Sequence, residues 1–170
     1  MVNILQIVIQ LIGLAAFLIS LIAYQKDKKE KILCYMILSS LLNLIHYLLL
    51  GAYSGCITKI ISIIRDSFII LKNRYNNKIL SSNIFLILFL IIYLTTAIFT
   101  YNSIWSIFPL IASSIYIIYI WNGNTLTIKK SAFFCYFLWL TYNIFVCSIS
   151  GIISNIISII STLVAIKRTR

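Results

Sequence analysis

The chain has 170 residues, of which 62% are hydrophobic and only 10% charged, and its mean hydropathy is +1.05. A soluble domain of this size cannot bury so much apolar surface, and several apolar runs approach the roughly 18 residues that mark a membrane span. The composition therefore excludes a soluble globular protein and indicates an all-α membrane protein.

Seven apolar segments follow one another along the chain, and each is predicted to form a transmembrane helix. Their ranges are 4–24, 31–51, 54–72, 80–99, 103–121, 131–149 and 150–168. The second and third are separated only by GAYSG (51–55) and the sixth and seventh only by CSISG (147–151), so each pair is predicted to form a tight hairpin. Because no room is left for a soluble domain, residues 1–170 are predicted to form a single membrane domain.

The formal net charge of +11 comes from 14 Lys and Arg residues against three Asp and Glu residues. Twelve of these 14 basic residues lie at or after the ends of the first, third, fifth and seventh segments: Lys26, Lys28, Lys29, Lys31, Lys72, Arg74, Lys78, Lys129, Lys130, Lys167, Arg168 and Arg170. By the positive-inside rule, this alternation predicts an N-terminus outside and a C-terminus in the cytoplasm. The excess of basic residues is therefore explained by their role in setting the membrane topology and by contacts with lipid headgroups. No motif indicates a nucleic-acid partner.

Patterns for metals, cofactors and catalysis are missing from the sequence. His46 is the only histidine and the four cysteines form no C-x-x-C pair, so no metal site and no cofactor are expected. There is no H-E-x-x-H, no G-x-S-x-G and no phosphate-binding glycine-rich loop. The chain is therefore predicted not to be an enzyme and to have no catalytic residues.

An internal repeat relates the two halves of the sequence at an offset of 96 residues. SGCITKIISII (54–64) aligns with SGIISNIISII (150–160) and differs from it only in the pairs Cys/Ile, Thr/Ser and Lys/Asn. The predicted organisation is a first triple-helix repeat at 4–72, a connector helix at 80–99 and a second triple-helix repeat at 103–168. One connector returns the second repeat in the same orientation, which predicts 3+1+3 parallel repeats with substrate sites at the repeat interface.

Three stretches carry a family resemblance: GLAAFLISLIAYQKDKKEKIL (13–33), SSLLNLIHYLLLGAYSG (39–55) and IISIIRD (60–66). They resemble the YgjV-type family of bacterial inner-membrane proteins, and the resemblance covers most of the chain. At fold level that family is similar to the MtN3/SWEET and PQ-loop transporters, which share the 3+1+3 helix plan. The resemblance implies a multi-pass protein of the bacterial cytoplasmic (inner) membrane that carries a solute.

The chain also departs from the SWEET and PQ-loop patterns, because it has a single proline, Pro109, and no Pro-Gln pair. Pro109 aligns with Gly13 in the repeat, and both are predicted hinges in the first helix of their half, with a tolerated proline and a packing glycine as the alternative.

SWEET sugar sites have an asparagine in the third and seventh helices and an aromatic residue in the second and sixth. The resemblance implies these roles for Asn155 and Trp139 in the second half. Their repeat partners are Lys59 and Asn43, a substitution that argues against a neutral sugar.

A polar stripe follows one face of the third segment, where Lys59, Ser62 and Asp66 recur at helical spacing after Gly55. The repeat places a matching stripe on the seventh segment, at Gly151, Asn155, Ser158 and Thr162. Hydrocarbon penalises polar groups, so both faces are predicted to point inward, and five of their residues are predicted to bind substrate: Lys59, Ser62, Asp66, Asn155 and Ser158. The other residues predicted to bind substrate lie beside these stripes or on neighbouring helices: Arg65, Asn43, His46, Trp139, Tyr142 and Asn143.

The charges of the third segment have two interpretations. Arg65 and Asp66 either form a structural pair, buried or with Arg65 reaching toward the cytoplasmic face, or line the route of a solute. His46 either packs with a hydrogen bond or relays protons, and packing is favoured. Because Arg65 holds Asp66 ionised, facilitated diffusion by alternating access is favoured over proton symport.

These observations predict a small-solute membrane transporter. The surplus positive charge of Lys59 favours a small polar or anionic solute, which the aromatic rings of Trp139 or Tyr142 would stack against if it carries a ring. The alternative is a non-transporting integral membrane scaffold or sensor, which needs no continuous polar path. A homo-oligomer is left open.

Overall fold

The computed structural model describes residues 4–49, 53–75, 79–99, 104–145 and 149–169, and within them it is all helical. The helices are α1 (Ile4–Tyr24), α2 (Lys29–Leu49), α3 (Tyr53–Tyr75), α4 (Asn83–Phe99), a short 3₁₀ helix (Ile104–Ser106), α5 (Ile107–Asn122), α6 (Thr125–Phe145) and α7 (Ile149–Thr169). The predicted all-α class and the predicted seven α-helices are therefore confirmed for the described part of the chain.

The sixth helix differs most from its prediction, because α6 begins at Thr125 rather than at residue 131. Asn124 caps it, since its side-chain oxygen accepts hydrogen bonds from the Thr127 backbone N–H at 2.9 Å and from the Thr127 hydroxyl at 2.8 Å. Lys129 and Lys130 therefore belong to the helix and not to a connection. The apolar segment marks only the part of a helix that suits hydrocarbon, whereas the helix itself begins at its cap.

Several predicted features lie outside the described residues. These are parts of the connections, at 50–52, 76–78, 100–103 and 146–148, together with Lys78, Cys147 and Arg170. Of GAYSG and CSISG, the last residues already belong to helices, because α3 begins at Tyr53 and α7 at Ile149. The surroundings of Gly55, at the start of the first polar stripe, also lie outside what the structure describes.

The helices form two compact units, Met1–Tyr75 and Asn76–Arg170. In the first unit, α2 packs against both α1 and α3; in the second, α6 packs against α5 and α7, and α4 packs against α5. Small residues allow close approach in both units, since Ala16 on α1 and Ala112 on α5 are fully buried.

One interhelical hydrogen bond recurs in both units at the repeat offset. The Ser39 hydroxyl on α2 donates to the Ala16 carbonyl on α1 at 2.7 Å. The Cys135 thiol on α6 donates to the Ala112 carbonyl on α5 at 3.1 Å. Both donors and both acceptors are separated by 96 residues (39 to 135 and 16 to 112), so two halves with different side chains form the same contact.

Three helical stretches are long and apolar enough to cross a bilayer: Gln6–Tyr24, Lys29–Leu49 and Gly151–Thr169. The helices Asn83–Phe99 and Ile107–Asn122 are apolar but shorter. Large apolar side chains such as Leu11, Leu18 and Leu48 are about half exposed, as expected for surfaces that face lipid. The seven-span arrangement, its orientation and the parallel repeats stay predictions.

Candidate functional site

An ion pair is buried within α3. The Arg65 guanidinium Nε donates to the Asp66 carboxylate Oδ1 at 2.7 Å, and the two side chains are only 5% and 1% exposed. Adjacent positions on a helix point about 100° apart, so the long arginine side chain must fold back to reach its neighbour. The geometry shows the buried pair that is one of the two interpretations of these charges.

The second oxygen of Asp66 is the most unusual group of the first unit. Asp66 Oδ2 is buried and has no hydrogen-bond partner among the residues that the structure describes. A buried acceptor without a donor costs about 1–3 kcal/mol, and more when it is charged. Native proteins rarely retain such a group without a reason, and a ligand that donates to it is one such reason.

Lys59 extends the charged group toward the beginning of α3. It is half-buried, and because it precedes Asp66 by seven residues, the two lie on one face of the helix. The six-residue separation from Arg65 suggests independent sites, because it corresponds to about 9 Å of helix rise. Lys59 shares its helix face with Asp66, and Asp66 pairs with Arg65, so these three residues are together called the α3 cluster below.

Two other predicted residues of the first unit bond to backbone rather than to the α3 cluster. The Ser62 hydroxyl donates to the Thr58 carbonyl of its own helix at 2.9 Å. The Asn43 amide donates to the Ser39 carbonyl on α2 at 3.0 Å. These bonds satisfy the side chains locally, which is common for small polar groups in membrane helices.

His46 packs between α2 and α1. Its Nδ1 lies 2.8 Å from the Ile9 carbonyl oxygen, and since a carbonyl only accepts, Nδ1 carries the proton and donates. Gly13 provides the space for the ring, because a Cβ atom at residue 13 would lie 2.9 Å from His46 Cε1. This contact gives Gly13 a packing role, while the predicted hinges at Gly13 and Pro109 stay predictions.

The equivalent stripe of the second unit is buried along α7. Asn155, Ser158 and Thr162 are 8%, 2% and 1% exposed, and their spacing of three and four residues places them on one helix face. Thr162 Oγ1 is buried without a hydrogen-bond partner among the described residues. Thr162 occupies the repeat position of Asp66, so equivalent positions of the two halves both hold an unsatisfied buried oxygen.

The aromatic and amide candidates of α6 are near its end. The rings of Trp139 and Tyr142 meet edge to face, with centroids 5.9 Å apart and planes at 87°. The Asn143 side chain lies against Gly151 of α7, where an added Cβ would be 2.6 Å from its Cγ. A glycine–polar contact therefore holds a helix pair in each unit, although between different helices: α1 and α2 in the first, α6 and α7 in the second.

Sequence reasoning missed two buried groups. The sequence places Thr162 on the polar face but does not single it out as a substrate-binding residue, and its alignment with Asp66 is the signal that identifies it. The sequence explains Lys129 by topology alone, yet Lys129 is 1% exposed and its Nζ donates to the Thr169 hydroxyl at 2.8 Å. No pattern in the sequence indicates the hydrogen bond between Lys129 and Thr169, because the two residues are distant along the chain.

The chemistry available in these groups is binding by charge and hydrogen bonds. Among the described residues, no group of three or more His, Cys, Asp or Glu side chains could hold a metal ion. The α3 cluster offers a cationic ammonium and a free carboxylate oxygen, while α7 offers an amide and hydroxyls. These groups suit the reversible binding of a polar molecule inside an apolar protein.

Comparison with known proteins identifies a family. No curated protein and no solved structure matches the chain, and the suggested relationship to MtN3/SWEET and PQ-loop transporters stays a prediction. The family model Imp-YgjV, described as bacterial inner membrane protein, matches residues 7–170 and therefore extends from α1 to the end of the chain. The chain thus belongs to the Imp-YgjV family of bacterial inner membrane proteins, as its sequence stretches suggest.

Proposed function

We propose that this chain is a small-solute transporter of the bacterial inner membrane that works by facilitated diffusion through alternating access. The observation that carries the proposal is Asp66, which is fully buried in α3 with one oxygen bound to Arg65 and the other without a partner among the described residues. Charged groups inside membrane helices are costly, and they commonly mark the path of a solute or ion. A solute that donates a hydrogen bond to Asp66 would account for the unsatisfied oxygen.

The proposal includes a chain built from two equivalent three-helix units around a connector helix. Helices α2 and α6 begin at residues 29 and 125 and end at residues 49 and 145, so both ends are offset by 96. The Ser39 and Cys135 hydrogen bonds follow the same offset. These equivalences support the 3+1+3 plan with seven spans. The alternation of basic residues along the sequence favours an external N-terminus and a cytoplasmic C-terminus.

Within this proposal the α3 cluster contacts the solute in the first unit, and the polar residues of α7 are the equivalent candidates in the second. The solute is small and polar or anionic, because the α3 cluster contains two cations and one carboxylate. Neither enzymatic activity nor nucleic-acid binding forms part of the proposed function, and the bilayer is the principal partner. Self-association into a homo-oligomer is compatible with it.

A ligand screen on the purified protein in detergent tests the proposal. The melting temperature is measured with panels of small anionic, sugar-like and nucleoside-like metabolites, for the wild type and for Lys59→Ala and Asn155→Ala. Lys28→Ala serves as the matched control, because Lys28 is an exposed lysine outside the helices. Stabilisation by one chemical class that is lost in both test variants, and kept in the control, supports the proposal.

Uptake by vesicles separates a transporter from the alternative function. The protein is reconstituted into liposomes, and entry of the stabilising class is measured with and without an imposed pH gradient. Saturable uptake that does not need the gradient is expected for facilitated diffusion. A ligand that stabilises the protein but does not cross the membrane would favour a sensor, and equal stabilisation of wild type and both test variants would contradict the proposed residues.

A further inference from the structure

The α3 cluster carries a positive charge that no acidic residue of its own balances. The chain contains three acidic residues, Asp27, Glu30 and Asp66. Asp66 pairs with Arg65 at 2.7 Å, which leaves the charge of Lys59 as surplus. Asp27 and Glu30 precede or begin α2, whereas Lys59 is near the beginning of α3 and thus near the far end of α2. Glu30 is 19 residues from the end of α2 and Lys59 is six residues into the returning helix α3, so about 13 residues, or about 20 Å of helix rise, separate their levels.

The same cluster contains an acceptor that lacks a donor. Asp66 Oδ2 is buried and has no hydrogen-bond partner among the described residues. Lys59 and Asp66 are seven residues apart on the same face of α3, which is two turns or about 10 Å of helix rise, so the two unmet requirements lie on one face of one helix. One small molecule can meet both requirements only if it is anionic at one end and donates a hydrogen bond at the other.

Resting on the transport function proposed above, we propose that the α3 cluster binds a small hydroxycarboxylate anion. The carboxylate of the solute pairs with Lys59, and its hydroxyl donates to Asp66 Oδ2 while Arg65 holds Asp66 Oδ1. The cluster has a net charge of +1 from two cations and one anion, and a hydroxycarboxylate of charge −1 neutralises it. A zwitterionic amino acid would supply a donor as well, but would leave a net positive charge inside the protein, which is costly.

Matched sets of three-carbon and four-carbon probes test this assignment by equilibrium binding to the purified full chain. L-Lactate is compared with propionate, which lacks the hydroxyl, with pyruvate, which offers only an acceptor, and with L-alanine, which is zwitterionic. The four-carbon set is 3-hydroxybutyrate, butyrate and acetoacetate. At least one hydroxy acid is expected to bind about tenfold or more tightly than its analogues, because an unmade hydrogen bond to a buried charge has that effect.

Variants assign the two ends of the ligand. Lys59→Gln is expected to weaken binding of the hydroxy acid at least about tenfold, Lys59→Arg to retain most of it, and the exposed control Lys28→Gln to leave it unchanged. In Asp66→Asn, the amide oxygen of the new side chain faces Arg65. The amide NH₂ group, a donor, then takes the place of the acceptor Oδ2. This variant is expected to reduce the preference for the hydroxy acid over the keto acid, a change in selectivity that loss of folding would not produce.

The outcomes separate this inference from the transport function on which it rests. No preference for a hydroxy acid in either probe set, or tighter binding of L-alanine, overturns the ligand assignment. Saturable vesicle uptake of a different solute class would then support the transport function while the ligand assignment is wrong. A hydroxy acid that binds through Lys59 but does not cross the vesicle membrane would support the assignment and refute transport, and neither binding nor uptake of any class would overturn both.

Discussion

Replacing Gly13 by alanine tests how closely α1 packs against α2. The added Cβ would lie 2.9 Å from His46 Cε1 and 3.0 Å from Nδ1, well inside the roughly 3.5–4.0 Å at which such atoms pack. The ring cannot retreat freely, because its Nδ1 donates to the Ile9 carbonyl at 2.8 Å. Overpacking costs about 1–3 kcal/mol and loss of the hydrogen bond about 1 kcal/mol, while alanine regains up to about 1 kcal/mol of helix propensity. The expected net loss of stability is about 1–3 kcal/mol.

A double-mutant cycle measures this contact. The free energy of unfolding is determined in mixed detergent micelles for Gly13→Ala, for His46→Ala and for the double variant. Removing the imidazole removes the clash, so Gly13→Ala is expected to be neutral or slightly stabilising in the His46→Ala background, with a coupling energy of about 1–3 kcal/mol. An equal loss in both backgrounds would show that Gly13 is required for another reason, such as the predicted hinge.

Three further predictions concern stability and topology. Gly151→Ala is expected to destabilise the protein by about 1–3 kcal/mol in the same assay, and Asn143→Ala to relieve that loss, because the new Cβ would overlap the Asn143 side chain. Arg65→Met alone is expected to cost about 3–5 kcal/mol of stability, because it leaves Asp66 buried without its partner. Adding Asp66→Leu is expected to restore most of that stability. An equal loss in the single and the double variant would contradict this account. A fluorescent protein fused to the C-terminus is expected to fluoresce and a phosphatase fused there to be inactive, as a cytoplasmic C-terminus requires, and the reverse pattern would refute the predicted orientation.

Hydropathy predicts the helices well where the apolar run and the helix have the same ends. The first segment, predicted at 4–24, is observed as Ile4–Tyr24. The sixth begins six residues earlier than predicted because Asn124 caps it ahead of two lysines, and the third continues to Tyr75 with Lys72 inside it. Charged terminal turns can extend beyond hydrocarbon without breaking the helix, so a hydropathy profile cannot locate their ends.

The site was predictable only where its signal is local. Arg65 and Asp66 are conspicuous because charges interrupt an apolar run, and their pairing is one of the two interpretations that the sequence leaves open. The contact between His46 and Gly13 was not predictable, since it depends on the register of α1 against α2, which periodicity within each helix does not fix. The same limit applies to the unsatisfied oxygen of Asp66, because its environment depends on which helices surround it.

Helix α7, the repeat equivalent of α3, indicates which residues a helix at this position needs in order to form. Helix α7 has Asn155 and Thr162 at the positions of Lys59 and Asp66, and among the described residues it is long and apolar enough to span a bilayer. Neutral polar residues are therefore sufficient to build such a helix. The charges of α3 add a cost of about 2.5–3.5 kcal/mol each when they are central in a membrane, even on the lenient insertion scale. A buried ion pair is weak support for stability, since apolar replacements of similar volume are often as stable. The asymmetry between the halves thus favours a role for the α3 cluster in binding rather than in folding.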